Sequence, residues 1–254
     1  GKGGVGKTWF SITLTHALTK LGRNALLFDG DLGLANVDIQ LGLMPKRDLG
    51  AVVDGRYSLQ AAAERFKDGG FDIIAGRSGS GNLANMTVAR LNELRNDLMT
   101  VARSYDAVVI DLGAGVDRTV RQLSGPAGIT LVVTTDEPTS LTDAYAFIKV
   151  THAANPNADL RVVVNMASSV REGERTYVTI LKACQNFLKF SPPLAGIIRR
   201  GDGEPVRLND PQLVDLDAVE PPAYAAWISD SAFVVAAEGD SSSTPEVYDV
   251  SGRH

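Results

Sequence analysis

The chain opens on Gly1-Lys2-Gly3-Gly4-Val5-Gly6-Lys7-Thr8. A glycine, four residues and then Gly-Lys-Thr is the spacing of a phosphate-binding loop, met here by Gly1, Gly6, Lys7 and Thr8. Glycines let the backbone curl until several N–H groups point at one phosphate. The helix that starts at the end of the loop adds the positive end of its dipole. Lys7 is placed to reach β- and γ-phosphates, and the Thr8 hydroxyl to ligate Mg²⁺. Lys2 is not required by that chemistry and sets this loop apart from the general pattern. A glycine-rich turn with incidental lysines is the plain alternative, and eight matched positions opening a helix weigh against it.

Two further segments carry carboxylates behind apolar runs. Leu26-Leu27-Phe28 leads into Asp29-Gly30-Asp31, and Val108-Val109-Ile110 leads into Asp111-Leu112-Gly113-Ala114-Gly115. Mg²⁺ takes oxygen ligands, directly or through water, and phosphoryl transfer to water needs a group that orients the water. Two aspartates just past a buried strand, Asp29 and Asp31, can serve both needs, and a second apolar strand delivers Asp111 close to Mg²⁺. Gly113 and Gly115 let the backbone approach a γ-phosphate and move when it leaves. Taken alone, Asp29 to Asp31 reads more readily as a solvated turn. Standing one crossover after a phosphate loop, the same residues read as a switch. Asn165 ends a third apolar run, where its amide offers a donor and an acceptor that match an adenine edge, or serves as a turn residue. Asp136-Glu137-Pro138-Thr139 reads as a helix entry.

As a set, these residues resemble the deviant Walker A class of MinD and ParA, most closely the FlhG/FleN flagellar-number regulators. The resemblance runs over about residues 1–200. It implies that Lys2 crosses a dimer interface to the partner's nucleotide. It also implies that Asp31 is a switch aspartate tied to hydrolysis, that Asp111 belongs to a second switch near Mg²⁺, and that Asn165 contacts the base. The implied cofactors are ATP and Mg²⁺. The implied nucleotide-binding set is Gly1, Lys2, Gly3, Gly4, Val5, Gly6, Lys7, Thr8, Trp9, Asp111 and Asn165, with Thr8, Asp29 and Asp111 toward the metal and Lys2, Lys7 and Asp31 toward catalysis. The implied partners are a second copy of the chain with ATP bound and a protein activator such as an FlhF-like GTPase. The implied activity is slow ATP hydrolysis that drives a switch controlling the placement or number of a cell structure.

The elements that must position these residues alternate strand and helix. Helices are expected over 8–21, with Phe10, Leu14, Ala17, Leu18 and Leu21 on one face, and over 34–43, 58–66, 87–102, 139–153 and 171–190. Strands are expected over 25–28, 71–75, 105–110, 129–134, 160–164 and 194–198. Continuous Val/Ile/Leu runs mean strands buried on both faces, hence a mostly parallel sheet. The fold class is α/β, a three-layer P-loop NTPase with ligands at the carboxyl ends of the strands. A phosphate-binding loop follows a buried strand, so residues upstream of Gly1 are expected.

Composition narrows the alternatives. The formal net charge of −5 speaks against a broadly basic surface and thus against a DNA-segregation role of the ParA type. One cysteine, Cys184, excludes an internal disulfide and a four-cysteine cluster, so an iron–sulfur carrier of the same fold does not fit. His16, His152 and His254 have no ligand spacing. A nucleotide-binding scaffold without turnover remains the non-enzymatic alternative. No run of about 18 apolar residues exists, and the default compartment is the cytoplasm. From Gly201 the text turns acidic and rich in proline and serine, so the expected division is a domain over 1–200 and a divergent tail over 201–254. That tail lacks the basic amphipathic helix of a membrane anchor, and a shifted reading frame near residue 200 would produce such a change.

Overall fold

The computed structural model describes residues 4–33, 35–76, 86–113, 120, 122–123 and 128–200, with the backbone of 223–227 and 233–236. Gly1, Lys2, Gly3, Ala114 and Gly115 lie outside these residues.

The chain begins with α1 (Lys7–Lys20), β1 (Ala25–Asp29), α2 (Val37–Leu41), α3 (Leu49–Val53) and α4 (Leu59–Ala62). It continues with β2 (Glu64–Phe66), β3 (Phe71–Ile74), α5 (Val88–Ala102), β4 (Ala107–Asp111) and β5 (Ile129–Thr134). Then come α6 (Pro138–Ala154), β6 (Asp159–Ala167), α7 (Val170–Leu188), β7 (Leu194–Arg199), β8 (Ala223–Trp227) and β9 (Phe233–Ala236). One sheet runs β2-β3-β1-β4-β8-β9-β5-β6-β7. Strands β3, β1 and β4 are mutually parallel, as are β5, β6 and β7. Because β9 is antiparallel to both β4 and β5, those two strands also point the same way. Every strand that ends in a candidate site residue therefore ends on one edge of the sheet.

Burial follows from this layering. Strands β1, β4 and β5 are buried along their whole length, as apolar runs covered by helices on both faces must be. Phe28, Phe71 and Phe147 are the largest side chains fully inside. Caps fix where helices begin. Asp48 accepts from the Ala51 N–H, Ser58 from Ala61, Thr87 from Arg90 and Ser169 from Glu172.

Three expectations are corrected. The stretch 58–66 is not one helix: α4 stops at Ala62 and Glu64–Phe66 pairs antiparallel with β3. The Asp68-Gly69-Gly70 turn, with Gly70 at φ 70°, folds the chain back, and Phe66 packs on Phe71 with ring centroids 5.2 Å apart. Next, α1 does not bury the face that its apolar residues suggest. Its buried residues are Ser11, Ile12, Thr15 and Leu18, while Phe10 and Leu14 are half-buried. The polar members are satisfied, Ser11 by Asp111 and Thr15 by the Ser11 carbonyl at 2.7 Å. Finally, α3 was not anticipated, and neither were β8 and β9, which pair antiparallel with each other between β4 and β5.

Truncating Phe28 to alanine should cost about 3–5 kcal/mol of unfolding free energy, measured by urea denaturation, because the cavity lies in the middle of a strand buried on both faces. Thr87→Ala, which removes only a helix cap, should cost about 1 kcal/mol in the same assay.

Candidate functional site

The site begins with register. Strands β1 and β4 run parallel with Ala25 opposite Ala107, and four residues later Asp29 stands opposite Asp111. Two strands of equal length, each ending in aspartate, thus deliver two carboxylates side by side at one edge of the sheet. Both are buried, Asp29 at 0% and Asp111 at 2% exposure. Their surroundings differ. Asp29 turns both oxygens to backbone: Oδ1 accepts from the Asp31 N–H at 3.3 Å and Oδ2 from the Val37 N–H at 3.2 Å. Asp111 turns toward the phosphate loop. It accepts from Ser11 Oγ at 3.3 Å and from the Thr8 hydroxyl, and Lys7 supplies a nearby positive charge.

The loop residues in view carry the geometry of an anion site. Gly6 is the N-cap of α1 at φ 82°, in the left-handed region that favours glycine, and no side chain caps the helix. The first amides of α1 thus have no side-chain acceptor at the cap. Trp9 sits in the first turn of α1, half-buried, with its carbonyl accepting from Thr13. Gly1, Lys2 and Gly3, the remaining members of the expected set, lie outside the described residues.

The segments that follow β1 and β4 touch. The Gly30 N–H donates to the Asp111 carbonyl at 2.6 Å. Asp31 Oδ1 accepts from the Gly33 N–H at 3.2 Å, and its carboxylate lies against Gly113, where a Cβ would sit 2.7 Å from Asp31 Cγ. A third strand closes the site from the other half of the sheet: Asn165 Nδ2 donates to the Val5 carbonyl at 2.8 Å. A cleft of about 260 Å³ opens beside the loop, lined by Gly4, Val5, Thr135, Asp136, Glu137, Thr139, Ser140, Asp143, Met166 and Arg200.

Electrostatics mark the two carboxylates. Burial, more than any other cause, pushes Asp111 up from 3.8 to about 7, against the lowering effects of the Thr8 hydroxyl, Lys7 and Ser11. Asp29 is also raised, first by burial and then by the charge of Asp111. Among the described residues no group of three or more His, Cys, Asp or Glu could hold a metal by itself. The donor set that is present, hydroxyl and carboxylate oxygen beside a phosphate loop, suits Mg²⁺ that takes its other ligands from phosphate and water.

Several site residues escaped the sequence reading. Ser11 lies three positions after Thr8, so it shares a helix face with it, and that spacing was the available signal. Ser140 donates or accepts with Thr134 Oγ1 at 3.0 Å and receives the Thr135 N–H at 3.0 Å, tying α6 to the end of β5. Pro138 opens α6 as expected, and Thr142 bonds its carbonyl at 2.8 Å. Met166 had no sequence signal.

Known proteins resemble this chain in sequence and fold. The CobQ/CobB/MinD/ParA nucleotide binding domain matches residues 1–203. The antiactivator FleN of Pseudomonas aeruginosa is 38% identical over 198 residues, covering 78% of this chain and 70% of FleN. The flagellum site-determining protein YlxH of Helicobacter pylori is 33% identical over 186 residues, 73% of this chain and 62% of YlxH. The chain thus spans less than two thirds of the length of YlxH. Among solved structures, MinD of Pyrococcus horikoshii complexed with Mg-ADP superposes with TM-score 0.63 at 26% identity over 79% of each chain. The MinC:MinD complex of Aquifex aeolicus gives 0.61 at 26% identity, again over 79% of each chain.

The raised carboxylates set a pH dependence. A folded-state value near 7 against an ordinary 3.8 means that the native state holds more protons than the unfolded one between those limits. Stability of the nucleotide-free protein should therefore fall as pH rises from 5 to 7, by about 1.4 kcal/mol per pH unit for one proton, with Asp29 adding in the same direction. Asp111→Asn should flatten that slope in urea titrations at the two pH values.

Proposed function

The chain belongs to the CobQ/CobB/MinD/ParA nucleotide-binding family, and from that premise we propose that it is an ATP-hydrolysing, ATP-dimerised switch of the FleN and MinD kind. The observation that carries the reading is one edge of the sheet. There the uncapped start of α1 stands beside Lys7, Thr8 and the paired carboxylates Asp29 and Asp111.

Each residue has a task in this proposal. Loop amides and Lys7 hold the phosphates. Thr8 and Asp111 hold Mg²⁺, which when bound neutralises charge on the transferring phosphoryl group. The existing Thr8–Asp111 hydrogen bond keeps both groups on the same point. Asp29 acts one step back, holding the turn that presents Asp31. Asp31 orients the attacking water. Asn165, with its nitrogen engaged by Val5, has its oxygen as the acceptor for the adenine amino group. Lys2 of each copy reaches the phosphates of the other. Hydrolysis removes the γ-phosphate and releases the segments around Asp31 and Gly113.

The relatives named as flagellar antiactivator, flagellum site-determining protein and septum site-determining protein support an output in the placement or number of a cell structure. Stimulation by a protein activator, such as an FlhF-like GTPase, follows from chemistry that is mostly positioning and is easily completed in trans. No described helix is long and apolar enough to cross a membrane. A peripheral site at a membrane surface belongs to this proposal only through the family. The division into an ATPase domain over 1–200 and a divergent tail over 201–254 is also part of the reading, with β8 and β9 of that tail paired into the sheet.

Light scattering with ATP·Mg²⁺, with ADP·Mg²⁺ and with Lys2→Ala tests the reading. A dimer with ATP alone, lost in Lys2→Ala, is expected; a monomer throughout refutes the switch. Asp31→Ala should lower ATP turnover about a hundredfold, measured as phosphate release, while ATP affinity changes little.

A further inference from the structure

We infer that Asn165 is a positioning residue for the phosphate loop itself, latching the end of β6 to the turn that opens α1, whether or not a base is bound. Part of its role rests on the functional reading above, but the latch does not.

The geometry is unusual for a strand end. Successive residues of a strand point to opposite faces, so Asn165 and Met166 should diverge. Instead the β6–β7 register shifts between Val164 and Ala167, and Met166 takes φ 57°, a left-handed conformation rare for a residue with a side chain. Both neighbours then converge on one glycine. A Cβ built on Gly6 would lie 2.6 Å from Asn165 Nδ2 and 3.3 Å from Met166 Cε. The loop backbone is thus pressed against the strand end as closely as a glycine allows. Backbone strain of this kind persists where surrounding structure holds it, and it clusters at functional sites.

The hydrogen bond is well placed to matter. Asn165 is 2% exposed and Val5 is 7% exposed, so the bond from Nδ2 to the Val5 carbonyl is shielded from water. It joins residues 160 positions apart, one in β6 and one in the loop before α1. The next carbonyl along, that of Gly6, accepts the first hydrogen bond of α1, from the Phe10 N–H at 2.9 Å. Holding Val5 in place therefore holds the first turn of the helix whose amides face the phosphates. A residue that only reads a base would have no effect on this turn when no nucleotide is present.

Hydrogen exchange of the nucleotide-free full chain separates the two roles. The probe is the Phe10 amide, with the β5 amides around Val132 as the reference for global opening. In Asn165→Leu, which keeps the approximate shape but removes the donor, Phe10 should exchange roughly two- to tenfold faster, the size of one net hydrogen bond, with β5 unchanged. Unchanged exchange at Phe10 overturns the latch, even if ATP affinity falls, since Asn165 would then read the base alone. If Asn165→Leu speeds exchange everywhere, Asn165→Asp at pH 8 is the second variant. Acceleration confined to Phe10 there supports the latch, and uniform acceleration in both variants overturns it. ATP binding by the wild-type chain is measured in parallel. Its absence would refute the functional reading, while Phe10 exchange would still decide the latch.

Discussion

Two buried carboxylates on adjacent parallel strands are an unfavourable arrangement by themselves. Asp29 and Asp111 stand side by side across a strand pair, out of reach of water, and the charge of Asp111 raises the proton affinity of Asp29. Burying like charges is strongly disfavoured unless protons, cations or donors compensate. The surrounding structure supplies donors to each: backbone amides to Asp29, and Ser11 and the Thr8 hydroxyl to Asp111. Lys7 supplies a positive charge near Asp111, and a divalent cation held by phosphates would offset more. The same constraint explains why α1 turns a polar edge toward β4, against the expectation from its apolar residues.

The parallel sheet makes that arrangement a site. Because β1, β4, β5, β6 and β7 point the same way, their carboxyl ends share one side of the sheet, where Asp111 meets α1 and Asn165 meets the loop before it. Close approach depends on missing side chains. Gly30 lets its N–H reach the Asp111 carbonyl, and a Cβ there would lie 2.4 Å from Leu112 Cδ2. Gly113 likewise makes room for the Asp31 carboxylate.

Much of this was legible in the sequence. The apolar runs leading into Asp29, Asp111 and Asn165 and the mostly parallel α/β class rest on local pattern, and strands formed at those runs. What was not legible depends on tertiary context. The antiparallel strand at Glu64–Phe66 is three residues long, too short for periodicity, and it exists because β3 offers an edge. The buried face of α1 could not be read from hydrophobicity, since Ser11 is buried for its hydrogen bond to Asp111. The bulge at Met166 depends on how β6 pairs with β7, and no local residue announces it.

These contacts also show how a change at the phosphate end would spread. The segment after β1 and the segment after β4 are joined by the Gly30 bond and by the seat of Asp31 on Gly113. A ligand that draws Gly113 toward a phosphate also displaces the carboxylate resting on it, and Asp31 is tied through its own N–H to Asp29. From Asp29 the path continues to Val37, the first residue of α2, through the 3.2 Å bond to its amide. One exposed element is thereby coupled to the nucleotide edge by three short contacts, with Ile39 at 68% exposure on its outer side. A two-state movement of Gly113 has a physical route to the surface, which is the minimum that a nucleotide-dependent change of partner requires.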